Sequence, residues 1–161
     1  MRVFGLIILI STSFFQLKGQ TISASPGWTY TLSGSDISEA GNNYNVNIES
    51  GANQTLVDVT TNSFYNSNFR VSVEKIDNVW NNQLTLSVRR TGNGSGGWFA
   101  GISGGTNYIQ LTNTPQLLYT GNTGYFSGGY FSVPIQYRVQ GLSLLVPAQS
   151  YSTTVRYTIT N

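Results

Sequence analysis

Apolar and polar residues alternate with a period of two along most of this chain, and a helical period is almost absent, so the pattern predicts strands joined by turns. Trp28, Tyr30 and Leu32 alternate with Thr29, Thr31 and Ser33. Tyr44, Val46 and Ile48 alternate with asparagines and Glu49, a turn follows over 51–53, and Leu56, Val57 and Val59 mark a third strand. Phe69, Val71 and Val73 alternate with Arg70, Ser72 and Glu74, and Leu84, Leu86 and Val88 with Thr85, Ser87 and Arg89. These two read as a central pair. The polar connection 77–82, which carries Trp80, is short enough to close them as a hairpin with a longer loop. Gly92-Asn93-Gly94 signals a second, tight hairpin, because both central positions of such a turn favour residues that tolerate positive φ.

Towards the end of the chain Phe131, Val133, Ile135, Tyr137 and Val139 alternate, then Leu144 and Val146, then Tyr151, Thr153, Val155, Tyr157 and Ile159. Pro134 removes a ladder donor and places its strand at an edge or a bulge. Ser-Gly-Gly recurs at Ser95, Ser103 and Ser127, but the residues between do not repeat. The glycine-rich stretch 92–129 therefore reads as recurrent turn chemistry rather than a solenoid. About eight to ten short strands predict an all-β fold, an antiparallel β-sandwich with a β-barrel as the alternative.

The beginning departs from this pattern. Met1 and Arg2 precede an apolar run over 3–15 and a polar stretch over 16–20, the order of a secretory signal peptide. The run is shorter than the about 20 residues a membrane-spanning helix needs. The expected division is a signal peptide over 1–19 and a single domain over 20–161, with secretion to the extracellular space or the bacterial cell surface and no stable membrane insertion. Without cysteine the chain can carry neither a lipoprotein anchor nor disulfides, so sheet hydrogen bonds and an aromatic and β-branched core must hold it together.

Losing Arg2 and Lys18 changes the charge. Arg70, Lys75, Arg89, Arg90, Arg138 and Arg156 then balance Asp36, Glu39, Glu49, Asp58, Glu74 and Asp77, which leaves no positive field for nucleic acid. Absent His and Cys exclude histidine bases, thiolate nucleophiles and ordinary zinc sites, so only carboxylates remain for acid–base work, and no motif pairs two of them. Hence no catalytic residue, metal or cofactor is assigned. Asp77, Asn78, Asn81 and Asn82 read as a hydrogen-bonded turn before they read as a calcium loop. Arg89-Arg90 beside a glycine-rich turn reads as a strand end with both side chains near solvent, in preference to an anion cradle. Asn53-Gln54-Thr55 and Asn93-Gly94-Ser95 match the short N-glycosylation acceptor pattern. Loop aromatics flanked by amides suit a glycan, and Trp80 and Trp98, with Asn78 and Asn81, are the ligand-binding candidates; the competing reading is a Trp folded back over a sheet edge.

The stretch from Ile135 to Gly141, then Leu144 to Tyr151, then Thr153 to Ile159, with a small-residue turn and Tyr before a final alternating strand, resembles the last strands of spore-coat-protein-U-like and chaperone–usher pilin-like domains. The cysteine pair many such pilins carry is absent. The resemblance implies an immunoglobulin-like sandwich and a secreted, non-enzymatic structural or adhesive surface subunit that self-associates, or joins related subunits, by strand exchange. Ile22, Trp28, Tyr30 and Leu32 are then candidates for a donated strand, although they read first as the first strand of their own sheet. Tyr151, Val155, Tyr157 and Ile159 mark a C-terminal strand whose edge accepts one. The alternative function is a glycan-binding module using exposed Trp and Tyr.

Overall fold

A computed structural model of the protein describes residues 19–32, 47–61, 63–143 and 145–161. The expected signal peptide lies outside these residues but for Gly19, as do Asp36, Glu39, Tyr44, Val46 and Leu144.

Ten strands follow one another among the described residues: β1 (Thr21–Ser25), β2 (Ile48–Glu49), β3 (Thr55–Thr60), β4 (Asn68–Val79), β5 (Thr85–Arg90), β6 (Gly101–Ser103), β7 (Ile109–Gln110), β8 (Gln116–Asn122), β9 (Gly129–Gln140) and β10 (Ser152–Thr160). They form two antiparallel sheets, ordered β1-β3-β9-β5-β7 and β10-β4-β8-β6, with β2 continuing the β3 side of β9. The sheets face each other as a β-sandwich, and the open outer strands rule out a closed barrel. Between them lie Val57, Val59, Val71, Val73, Val88, Val133 and Ile135, all fully buried, with Phe69 edge-on to Tyr119. Each valine is one phase of a period-two pattern, which is how a pleated strand sends alternate side chains to one face.

In the order of an immunoglobulin sandwich, A-B-E-D against G-F-C, β1, β3, β9 and β5 take the places of A, B, E and D. The places of C and F go to β4 and β10. The segment between D and E supplies β6, β7 and β8. Among the described residues no strand stands in the place of G, so β10 is an outer edge.

Five sequence readings are corrected. The strand expected around Trp28–Leu32 lies upstream, at β1, because Pro26 cannot donate to a ladder and ends it. The expected central pair is not a pair: β4 and β5 belong to opposite sheets, and the corner between them closes with Leu84 N–H donating to Asn81 O at 2.9 Å. Alternation specifies the face a side chain takes, not the neighbouring strand. No tight hairpin forms at Gly92-Asn93-Gly94, where only Gly94 has positive φ. Arg90 there points inward and is 5% exposed, because strand alternation continues one residue past solvent-facing Arg89. Its guanidinium donates to the carbonyls of Gly104 and Gly92 and to Asn93 Oδ1 at 3.0, 2.6 and 2.6 Å. Val146 also lies outside any strand.

Pro134 sits in β9, between β3 and β5, but next to the end of β5. Thr91 N–H donates to the Pro134 carbonyl just past that end, so the missing proline N–H faces no strand. A bulge precedes it, where the register against β3 shifts and Ser132 adopts φ 57°.

Candidate functional site

Two features at opposite ends of the sandwich stand out, an apolar channel beside the open edge and a cluster of exposed aromatic rings.

The channel, of about 710 Å³, runs between β10 and the segment that follows β1. Segment 26–32 is tied down by Thr55 Oγ1 donating to Pro26 O at 2.6 Å and Gln54 Nε2 donating to Gly27 O at 2.8 Å. Trp28 then stacks on Tyr137, ring centroids 6.1 Å apart and nearly parallel. The Tyr137 and Tyr157 hydroxyls share a 2.8 Å hydrogen bond across the two sheets. Burial, reinforced by Tyr137, pushes the Tyr157 phenol well above its ordinary pKa. Trp28, Tyr30, Leu32, Tyr151, Val155 and Tyr157 all line the channel, so the structure brings most of the assembly candidates together. Ile22 in β1 and Ile159 in β10 pack on the core instead. Ile22 pairs with Val59, which places the N-terminal segment in the chain's own sheet.

Along β10 the register against β4 is unbroken from Thr153 to Thr160, and side chains alternate strictly, half-buried inward and exposed outward. The sandwich's remaining outer strands β1, β6 and β7 have five, three and two residues against the nine of β10. Lysine, proline and bulges are the usual protection of an edge. From Thr153 onward β10 has none of them, only Arg156, which pairs with Glu74 at 2.6 Å.

The glycan candidates separate. Trp80 is half-buried at the β4–β5 corner, donating from Nε1 to Leu84 O at 3.0 Å beneath the Lys75 ammonium. Asn81 accepts from Gln83 N–H, and Asn78 donates to Thr154 Oγ1 at 3.2 Å, so both amides serve local structure. Trp98 belongs to the other end.

There the β3–β4, β5–β6 and β8–β9 loops meet. Each carries a pair of neighbouring aromatics, Phe64-Tyr65, Trp98-Phe99 and Tyr125-Phe126, and all six rings are exposed. Buried Thr123 joins the loops: its N–H donates to Ser67 O, its Oγ1 accepts from Ser67 N–H, and its carbonyl accepts from Gly97 N–H at 2.8 Å. Trp98 and Tyr125 exchange two backbone bonds of 3.1 and 2.9 Å, and Phe126 N–H donates to Phe64 O at 2.8 Å. Glycine permits this approach. A Cβ at Gly124, where φ is +68°, would lie 2.5 Å from the Trp98 carbonyl oxygen. Phe99 and Phe126 also hold positive φ, 60° and 63°, a conformation costing bulky residues about 1–2 kcal/mol each. Sequence reading found Trp98 and missed the other five, whose loops lie far apart in the chain; the doubled aromatics in glycine-rich turns were the available signal.

The described carboxylates are engaged: Glu49 with Arg138, Glu74 with Arg156, Asp77 with Lys75, and Asp58 accepting from Ser132 N–H at 2.7 Å. Asp77 has a lowered pKa: desolvation, the largest single effect, raises it, but hydrogen bonds from Lys75, Asn113 and Thr153 and the Lys75 charge together outweigh it. Arg89 lies over Tyr108 and donates twice to Gln136 Oε1, while Arg138 covers the same ring. With Arg90 buried, the two neighbouring arginines do not form one anion cradle. No family model, curated protein or solved structure matches this chain.

Proposed function

We propose that the protein is a secreted, non-catalytic surface subunit that associates through its open edge, a strand from another subunit adding to β10 and roofing the channel beneath. The observation that carries this is β10, nine residues long and unpaired on its outer side among the described residues, beside an apolar channel. Backbone N–H and C=O groups along such an edge supply affinity without side-chain specificity, and pockets for alternate side chains supply register. The vacant place of the seventh strand has the position and direction an added strand needs. Since Thr21–Ser25 is engaged with β3, the strand comes from a related subunit, or from a second copy of this chain whose β1 has detached.

Light scattering over a concentration series tests the reading, with Thr158→Lys/Thr160→Lys as the edge-blocked variant. Association that grows with concentration in the parent and is lost in the variant, at unchanged circular dichroism, is expected. A parent monomer at every concentration, together with failure to take up strand peptides covering its own residues 20–32, would sink it.

A further inference from the structure

The aromatic end has chemistry of its own. No Asp, Glu, Lys or Arg occurs between Arg90 and Arg138, so two of its three loops carry no charge at all, and segment 61–67 of the third carries none either. Four of the hydroxyl side chains around the rings are engaged in local backbone bonds. Thr61 and Ser67 donate to backbone carbonyls, Ser127 donates to Gly129 O at 2.8 Å, and Ser63 accepts from Tyr65 N–H at 3.1 Å. Beside Asn66 and Ser95, what faces outward is ring.

The rings also protrude. Trp98, Phe99 and Phe126 are 73%, 85% and 75% exposed and line neither the channel nor the shallow cavity next to Phe64. Trp98 stands at 89° to Phe126, and Tyr125 at 48° to the same ring, so the group offers edges and corners rather than a flat platform. A sugar would need a flat face and free hydroxyl partners, and a charged ligand would need a counter-charge. A convex, uncharged group of Trp, Tyr and Phe instead matches the interfacial zone of a bilayer, where amphipathic rings settle at headgroup depth. The positive φ at Phe99 and Phe126 and the bonds through Thr123 hold the rings out in advance, so little ordering remains to be done on contact.

We infer that this end of the sandwich is an insertion tip for an uncharged lipid–water interface, with Trp98, Phe99, Tyr125 and Phe126 entering the headgroup zone of a zwitterionic bilayer. This goes beyond the assembly reading and stands apart from it, since the tip and the β10 channel lie at opposite ends and can be altered separately.

Co-sedimentation of the purified protein with vesicles of pure phosphatidylcholine tests it. Binding is expected that survives an ionic strength of about 1 M, where charge attraction is screened within about 3 Å, and that falls at least about tenfold in Trp98→Ala/Phe126→Ala. In the unaltered protein, brominated phosphatidylcholine is expected to quench Trp98 while Trp28 and Trp80 keep their emission, a readout independent of any variant's folding. No binding to phosphatidylcholine, or binding that needs anionic lipid and disappears with salt, overturns the inference. So does Trp98-dependent binding of neutral oligosaccharides in the absence of lipid, or a dimer abolished by the tip substitutions alone. The Thr158→Lys/Thr160→Lys variant is expected to bind vesicles as the parent monomer does, so failure of strand addition and failure of the tip are distinguishable.

Discussion

Raising the pH past the ordinary phenol range is expected to unfold this domain, because two tyrosines cannot ionise where they sit. Tyr119 is fully buried with no partner for its hydroxyl, and burial pushes its pKa far up, with Arg90 opposing only in part. Tyr157 is half-buried as a residue, yet its hydroxyl lies inside against Tyr137, and burial again raises it. In the unfolded chain both ionise near pH 10. A raised folded pKa means that their contribution to stability is complete below about pH 10 and is lost as pH rises. The Tyr119 phenol held neutral costs about 1.4 kcal/mol at pH 11 and about 2.7 at pH 12, and Tyr157 adds to the loss in the same direction. Against a typical stability of about 5–15 kcal/mol, that brings a modestly stable domain towards its unfolding transition by pH 12. The assay follows phenolate absorbance and circular dichroism on the same samples. The phenolate absorbance of Tyr119 and Tyr157 should appear only as the sheet signal disappears. Tyr157→Phe should lessen the pH dependence by about 1.4 kcal/mol per unit. Titration of every tyrosine near pH 10 with intact dichroism would refute the reasoning.

Two substitutions probe the scaffold of the aromatic end. Gly124→Ala places a side chain at positive φ against the Trp98 carbonyl and is expected to cost about 2–4 kcal/mol in denaturant unfolding, with the Trp98 emission altered. Arg90→Met leaves the Gly92 and Gly104 carbonyls without their donor; a loss of about 2–4 kcal/mol and faster proteolytic nicking within 91–105 are expected, and unchanged nicking would show that Arg90 does not hold that loop.

Much of the architecture was legible without coordinates. Val57 and Val59, Val71 and Val73, and Val133 and Ile135 are core residues because period two sends them to one face, and the final strand is where Val155, Tyr157 and Ile159 alternate. The missing His and Cys narrowed the available chemistry before any fold was known. Which strands are neighbours was not legible. Local alternation carries no information about partners, so β4 and β5, adjacent in sequence, separated into different sheets. Nor was Arg90's inward turn, since a lone charge is expected near solvent until carbonyls from Gly92 and Gly104 converge around it. Both candidate surfaces are products of the tertiary structure. The open edge exists because no described strand follows β10 in its sheet, and the aromatic tip because three loops distant in sequence share one end of a sandwich. A sequence determines which face a side chain takes, since that depends on its immediate neighbours; what meets across space depends on how the sheets are ordered, and only the packed chain decides that.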